Sequence, residues 1–208
     1  MNFAGPIADG AFEVSARPTR TNRSTQHWNI ELAQDGVVTT TATAVFGNRR
    51  DTCGRPPRSR RPRPRPPMTW PLQVSPTSSR WRAITRCGSS PASSPLPKRA
   101  DSRIRRPRCG VRDAPPRALD FPALTSLCDV FYPRAFLRLG RYLPAGTVSL
   151  TVYFHADATL LAAQARRRRP RHRRAQRFGK GYFDQSGEIW GHDGALLATT
   201  HQLVYFKD

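Results

Sequence analysis

The chain alternates between stretches of regular apolar–polar patterning and stretches with none. Within residues 3–47 the pattern has a period of two: Phe12 to Ala16 alternates, and Trp28, Ile30 and Leu32 share one face. Gln34-Asp35-Gly36 interrupts it with the Asp-Gly signal of a tight hairpin, and Val37 to Phe46, rich in Val and Thr, supplies the partner strand. Beyond Leu119 the period changes. Asp120 is a candidate helix N-cap with Pro122 in the first turn, and Leu124, Leu127, Cys128 and Phe131 recur at i, i+3, i+4 and i+7, the apolar stripe of a packed helix. Pro133 ends or kinks that helix. After Pro144-Ala145-Gly146 the pattern predicts a strand from Thr147 to His155. Val148, Leu150, Val152 and Phe154 point one way, and Thr147, Ser149, Thr151, Tyr153 and His155 the other. Tyr182 to Trp190, the turn His192-Asp193-Gly194 and Ala195 to Phe206 read as a second hairpin.

Setting Asp35-Gly36 over Asp193-Gly194 exposes an internal repeat at a shift of 158 residues, the pattern of a duplicated supersecondary unit. At that shift Gln202 falls opposite Ala44, so the first half lacks the corresponding amide.

Charge separates the chain further. Residues 49–112 hold 17 Arg and one Lys against Asp51 and Asp101, and residues 166–174 hold seven Arg; outside these two blocks the 208-residue chain is nearly neutral, although its total charge is +21. The Arg/Pro-rich run from Arg55 to Pro67 repels itself and lacks backbone donors at its prolines, so residues 49–112 are expected to be disordered. Cys53, Cys87, Cys109 and Cys128 form no close pair of the kind a zinc or redox site uses, and are expected as unpaired thiols in a reducing compartment. No apolar run reaches about 18 residues, which excludes a membrane-spanning helix, and the first residues lack a basic start and apolar run, so a cytoplasmic location is expected.

The residues then resemble a family. Leu119-Asp120-Phe121-Pro122-Ala123-Leu124 through Cys128-Asp129, Gly146 to His155, and Gly181-Tyr182-Phe183-Asp184-Gln185 through Asp193-Gly194 to Gln202 are similar to the C-terminal half of the medium-chain, type II acyl-CoA thioesterases of the double-hotdog type. Asn2-Phe3-Ala4-Gly5-Pro6 and the Gln34-Asp35-Gly36 hairpin resemble the end of the N-terminal hotdog. The resemblance implies an α+β hotdog fold, a curved antiparallel sheet around a central helix, with the second hotdog nearly complete and the first partial. Two hotdogs of ~120 residues each would exceed 208 residues, and the first helix and strand are expected to be missing. The implied division is a remnant of the first hotdog over 1–48, the basic segment over 49–112, and the second hotdog over 113–208, interrupted at 166–174.

The same resemblance implies a catalytic set: Asp129 on the central helix, Thr147 at the start of the long strand and Gln202 in the last strand, together holding a water that attacks a thioester carbonyl. Chemistry agrees with such a set. A thioester carbonyl is electrophilic and its thiolate leaves readily, so an oriented water and a general base suffice. Without the resemblance, Asp129 reads as a solvated helix flank and Thr147 as plain β-propensity, whereas a Gln in an apolar strand needs partners. His155 and His201 read as structural, and no Gly-x-Ser-x-Gly elbow is present. No cofactor or metal is implied. The implied partner is an acyl-CoA substrate, with homo-oligomerisation following from resemblance alone and no specific nucleic acid. Two other readings stand beside the hydrolase: a non-catalytic acyl-CoA-binding hotdog, and a basic nucleic-acid-binding protein whose Arg runs neutralise phosphates.

The composition of both basic blocks, mostly Arg, Pro, Ala, Gly and Ser, is that of GC-rich codons read out of frame, and family-like sequence resumes after each. Translating the other frames across codons 49–112 and 166–174 is expected to give near-neutral, strand-like sequence; its absence would reject this origin.

Overall fold

The computed structural model describes residues 1–50, 85–88, 110–113, 117–129, 131, 133–164 and 169–207. The first half contributes β1 (Asn2–Phe3), β2 (Glu13–Thr21), β3 (Thr25–Gln34) and β4 (Val37–Gly47). Then come β5 (Thr85–Gly88), β6 (Gly110–Asp113), helices α1 (Phe121–Asp129) and α2 (Arg134–Leu139), β7 (Ala145–Phe154) and helix α3 (Ala158–Ala163). Strands β8 (Arg169–Arg174), β9 (Phe178–Gly179), β10 (Tyr182–Trp190) and β11 (Leu196–Phe206) complete the order. The strands join in one antiparallel sheet, β2-β3-β4-β1-β7-β11-β10-β8-β6-β5, with β9 on β10.

Both hairpins form. Asp35 and Gly36 adopt φ of 50° and 75°, the pair of positive values that a two-residue turn matching strand twist requires. The second hairpin turns through a longer loop, where Gly191 N–H donates to Ala195 O at 2.7 Å. This difference shifts the two ladders by one residue: Ile30 pairs Ala42, while Thr200, at the repeat position of Ala42, pairs Gly187 rather than Glu188.

The core belongs to the second half. Asp120 caps α1 as expected, its Oδ1 accepting the Ala123 N–H at 2.7 Å. All four stripe residues, Leu124, Leu127, Cys128 and Phe131, are buried, and they pack with Leu161, Ile189 and Leu197. A second cluster gathers Ala135, Leu143, Phe183 and Val204. By contrast, in residues 1–50 only Thr39 is buried, and Phe12, Val14 and Phe46 stand about 60% exposed. Among the described residues no helix covers β2–β4.

Two-residue β1 stitches the halves together. It pairs with β4 at Thr40 and Thr41 and with β7 at Ser149, while the Met1 ammonium donates to Leu150 O at 2.8 Å. At the far end of β4, Arg49 donates to the carbonyls of Phe154 and His155, both at 2.7 Å.

The basic blocks correct an expectation. Within 49–112, β5 pairs with β6, and the Arg-rich residues 169–174 form β8 against β10, with Arg174 opposite Ser186. Ladder bonds join backbone groups, so side-chain composition does not forbid them where β10 offers an edge. The expected disorder elsewhere in 49–112, and residues 166–168 of the second block, lie outside the described residues, as do Cys53 and Cys109. Cys128 is fully buried.

Gly187 lies where Phe131 crosses β10. A Cβ there would sit 2.2 Å from Phe131 Cζ and 2.9 Å from Thr200 Cγ2, whereas one on Gly146 would meet nothing within 4 Å. Gly187→Ala is therefore expected to cost about 1–3 kcal/mol of stability in urea denaturation, and Gly146→Ala to change it by less than about 0.5 kcal/mol.

Candidate functional site

Asp129 is the last residue of α1 and directly follows Cys128 on the buried stripe. A residue one step from that stripe sits at the flank of the helix, and Asp129 keeps part of its surface in solvent. From this position its carboxylate reaches the sheet. Gln202, 1% exposed in the middle of β11, donates its Nε2 hydrogen to Asp129 Oδ1. Gln202 lies directly opposite Gln185 on β10, whose Nε2 in turn donates to Gln202 Oε1. The three side chains form a directed chain of donors ending on the carboxylate.

Thr147 arrives by a different route from the one its strand pattern predicts. Strict alternation sets it on the face opposite Leu150, but the β7–β11 ladder shifts register between Leu203 and Val204. Gln202 pairs with Leu150, Leu203 with Ser149, and then Val204 with Thr147, leaving Val148 as the extra residue. Directly opposed residues share a face, so the bulge moves Thr147 to the side that Val204 and Gln202 occupy. Val148 correspondingly becomes exposed, while Thr147 is half-buried. The structure thus brings Asp129 and Gln202 into contact and sets Thr147 one step along the same face.

His155 and His201 take the other side. His155 Nε2, just past β7, lies 3.0 Å from Thr199 Oγ1, and His201 Nδ1, on an outward position of β11, lies 2.9 Å from Ser186 Oγ. Burial, with Arg49 beside it, lowers the pKa of His155. Sequence reasoning missed Gln185, which is 3% exposed. Its signal was a polar residue at an inward position of β10, between Phe183 and Gly187. It also missed Gln164 at the end of α3, which grips the second turn: its Nε2 donates to Asp193 Oδ2 at 2.9 Å and its Oε1 accepts the His192 N–H at 3.0 Å. Among the described residues no group of three or more His, Cys, Asp or Glu gathers as a metal site would need.

Desolvation by the packed helix end raises the Asp129 carboxyl to about 6, and the Gln202 hydrogen bond partly opposes this. Such a group can accept a proton near neutral pH, and its Oδ2 is not engaged by Gln202. The raised value also sets a stability cost. The folded state holds the proton more tightly than the unfolded chain, so the penalty is absent below the ordinary value of 3.8, grows up to about pH 6 and is constant above. Asp129→Asn is expected to stabilise the protein at pH 7 by about 1 kcal/mol, after allowance for solvent at the exposed edge of the side chain. That gain should vanish in urea denaturation below pH 4.

Comparison with known proteins bears on the family and the fold. Residues 49–206 match the family model of the acyl-CoA thioesterase C-terminal domain, and residues 1–47 that of the N-terminal domain. A solved hot dog protein of unknown function from Alicyclobacillus acidocaldarius is 42% identical with a TM-score of 0.85, over 100% of this chain and 76% of that one. Two more distant structures share the fold. A putative thioesterase II from Thermobifida fusca has 20% identity and a TM-score of 0.69, and a putative thioesterase from Novosphingobium aromaticivorans has 16% and 0.76. They are covered to 76% and 78% of their lengths by the whole of this chain. No curated protein matches. With the C-terminal domain model spanning more than half its length, the chain belongs to the acyl-CoA thioesterase family of hotdog-fold thioester hydrolases.

Proposed function

We propose that this protein hydrolyses acyl-CoA thioesters to the free acid and CoA, with Asp129 as the general base for a water that Gln202 and Thr147 orient. The observation that carries this reading is the contact between the Gln202 amide and the Asp129 carboxylate. It leaves Asp129 Oδ2 for the water proton and the second Nε2 hydrogen of Gln202 for the water oxygen. The Thr147 hydroxyl, on the same face, supplies a further hydrogen bond that fixes the direction of attack.

Above about pH 6 the carboxylate is ionised and takes the proton as the water oxygen bonds to the thioester carbon. The carbonyl oxygen becomes an oxyanion, which backbone N–H donors stabilise by roughly 3–4 kcal/mol each in comparable sites. Collapse of the tetrahedral intermediate expels the CoA thiolate, a far better leaving group than an alkoxide, so no dedicated acid is needed. Family membership supports acyl-CoA as the substrate class and a homo-oligomer as the assembled form. The division into a partial first hotdog over 1–48 and a second over 113–208, separated by the basic segment, belongs to the same proposal, with the first half walling the site through β1.

Asp129→Ala is expected to lower kcat on a medium-chain acyl-CoA by about 10²–10⁴-fold, with Thr147→Val and Gln202→Leu losing about 10–100-fold. The kcat/KM of the unaltered protein should rise with pH through a midpoint near 6, as Asp129 ionises. An unchanged hydrolysis rate in Asp129→Ala defeats the catalytic assignment, and acyl-CoA binding without turnover would favour the non-catalytic reading.

A further inference from the structure

We infer that Gln185 is a positioning residue: by donating to Gln202 Oε1 it fixes which end of the Gln202 amide faces Asp129. This rests on the reading of Asp129 as the base. An amide has a donor end and an acceptor end of nearly equal shape, and rotation by half a turn exchanges them. Opposite an ionised carboxylate only the donor end is productive, since Oε1 against Oδ1 would set two acceptors together. Gln202 is 1% exposed, so solvent does not enforce the choice, and its neighbours must.

Gln185 is placed to do this. It is the direct ladder partner of Gln202, it is 3% exposed, and its own Nε2 reaches Gln202 Oε1. With that oxygen occupied by a donor, the Nε2 end of Gln202 is left for Asp129. The remaining Oε1 of Gln185 makes no hydrogen bond to any described residue, so no described residue favours the reversed orientation of Gln185. The neighbouring inward positions hold no ionisable group: Gly187 and Thr200 follow on β10 and β11, and Leu150 lies across on β7. Asp184, Glu188 and His201 occupy the outward set, and β6, also packed on α1, carries Arg112 and Asp113. The orientation of Gln202 therefore depends chiefly on amide-to-amide contact.

The consequence concerns both rate and protonation. A donor held against Asp129 favours the ionised base, whereas a reversed Gln202 presents Oε1, which favours a protonated carboxyl. Gln185→Met keeps the volume but cannot donate. Gln185→Glu is nearly isosteric and can only accept when ionised, so it draws the Gln202 amide hydrogens toward itself and turns Oε1 to Asp129.

Steady-state kinetics of the full chain on a medium-chain acyl-CoA from pH 4.5 to 9 tests the inference. Gln185→Met is expected to lower kcat by about 5–10-fold with KM within about twofold, the loss of one oriented hydrogen bond. Its acid limb should move up by about half a pH unit, and that of Gln185→Glu by about one unit or more. Unmoved acid limbs in both folded variants, with Asp129→Ala inactive, overturn the role of Gln185 and leave the base assignment standing. Full activity in Asp129→Ala defeats the base assignment itself. If either variant fails to fold, side-chain NMR of the unaltered protein decides: Gln185 amide hydrogens that exchange slowly and titrate with the acid limb support the inference, and freely exchanging ones overturn it.

Discussion

A buried amide in the centre of a sheet is the constraint on which the rest of this structure depends. Gln202 lies midway along β11, with β7 on one side and β10 on the other, and is almost entirely hidden from water. Left without partners it would cost about 1–3 kcal/mol for each unsatisfied group. Its Nε2 partner is the last residue of α1, so the helix end has a fixed position over the sheet. The apolar stripe of α1 and the absence of a side chain at Gly187, where Phe131 lies, allow the helix to approach that closely. Helix packing, the polar contact and the elevated carboxyl pKa are thus three aspects of one arrangement.

The halves of the molecule are unequal in a way that follows from this. The second half has a helix and therefore a core; the first has a hairpin and an added strand, with large apolar side chains in water. What order the first half has comes from backbone pairing and from its connections to β7, through Met1 and Asn2 at one end and Arg49 at the other. Both hairpins share an Asp-Gly turn and ladder pattern, but among the described residues only the second carries buried amides, so repetition of architecture did not carry these side chains with it.

Much of this was legible in the chain. The positive-φ pair at Asp35-Gly36, the cap at Asp120 and the stripe through Phe131 are local signals, each set by a few neighbouring residues, and each appears as expected. What could not be read was non-local. The face of Thr147 depends on where β7 slips against β11, a matter of pairing rather than of its own alternation. Gln185 gains meaning only once Gln202 is opposite it. The strands at 85–88, 110–113 and 169–174 were hidden because pairing partners, not composition, bring Arg-rich backbone into a ladder. That Asp129 and Gln202 meet was an expectation from resemblance; α1 and β11 are 73 residues apart at the contact, and no short-range pattern encodes it.

The slip at Val148 makes pairing register, rather than strand composition, the quantity that sets the face of Thr147. One residue more than the partner strand supplies is enough to exchange inside for outside over the first residues of β7 while the remainder of the ladder is untouched. A β7 that kept Val148 in unbroken alternation, paired with Val204, would keep its hydrogen bonds and its apolar side chains and still set Thr147 on the opposite face. A change of register in β7 therefore moves this side chain further than point changes of similar polarity do, even where the hydrophobic pattern looks intact.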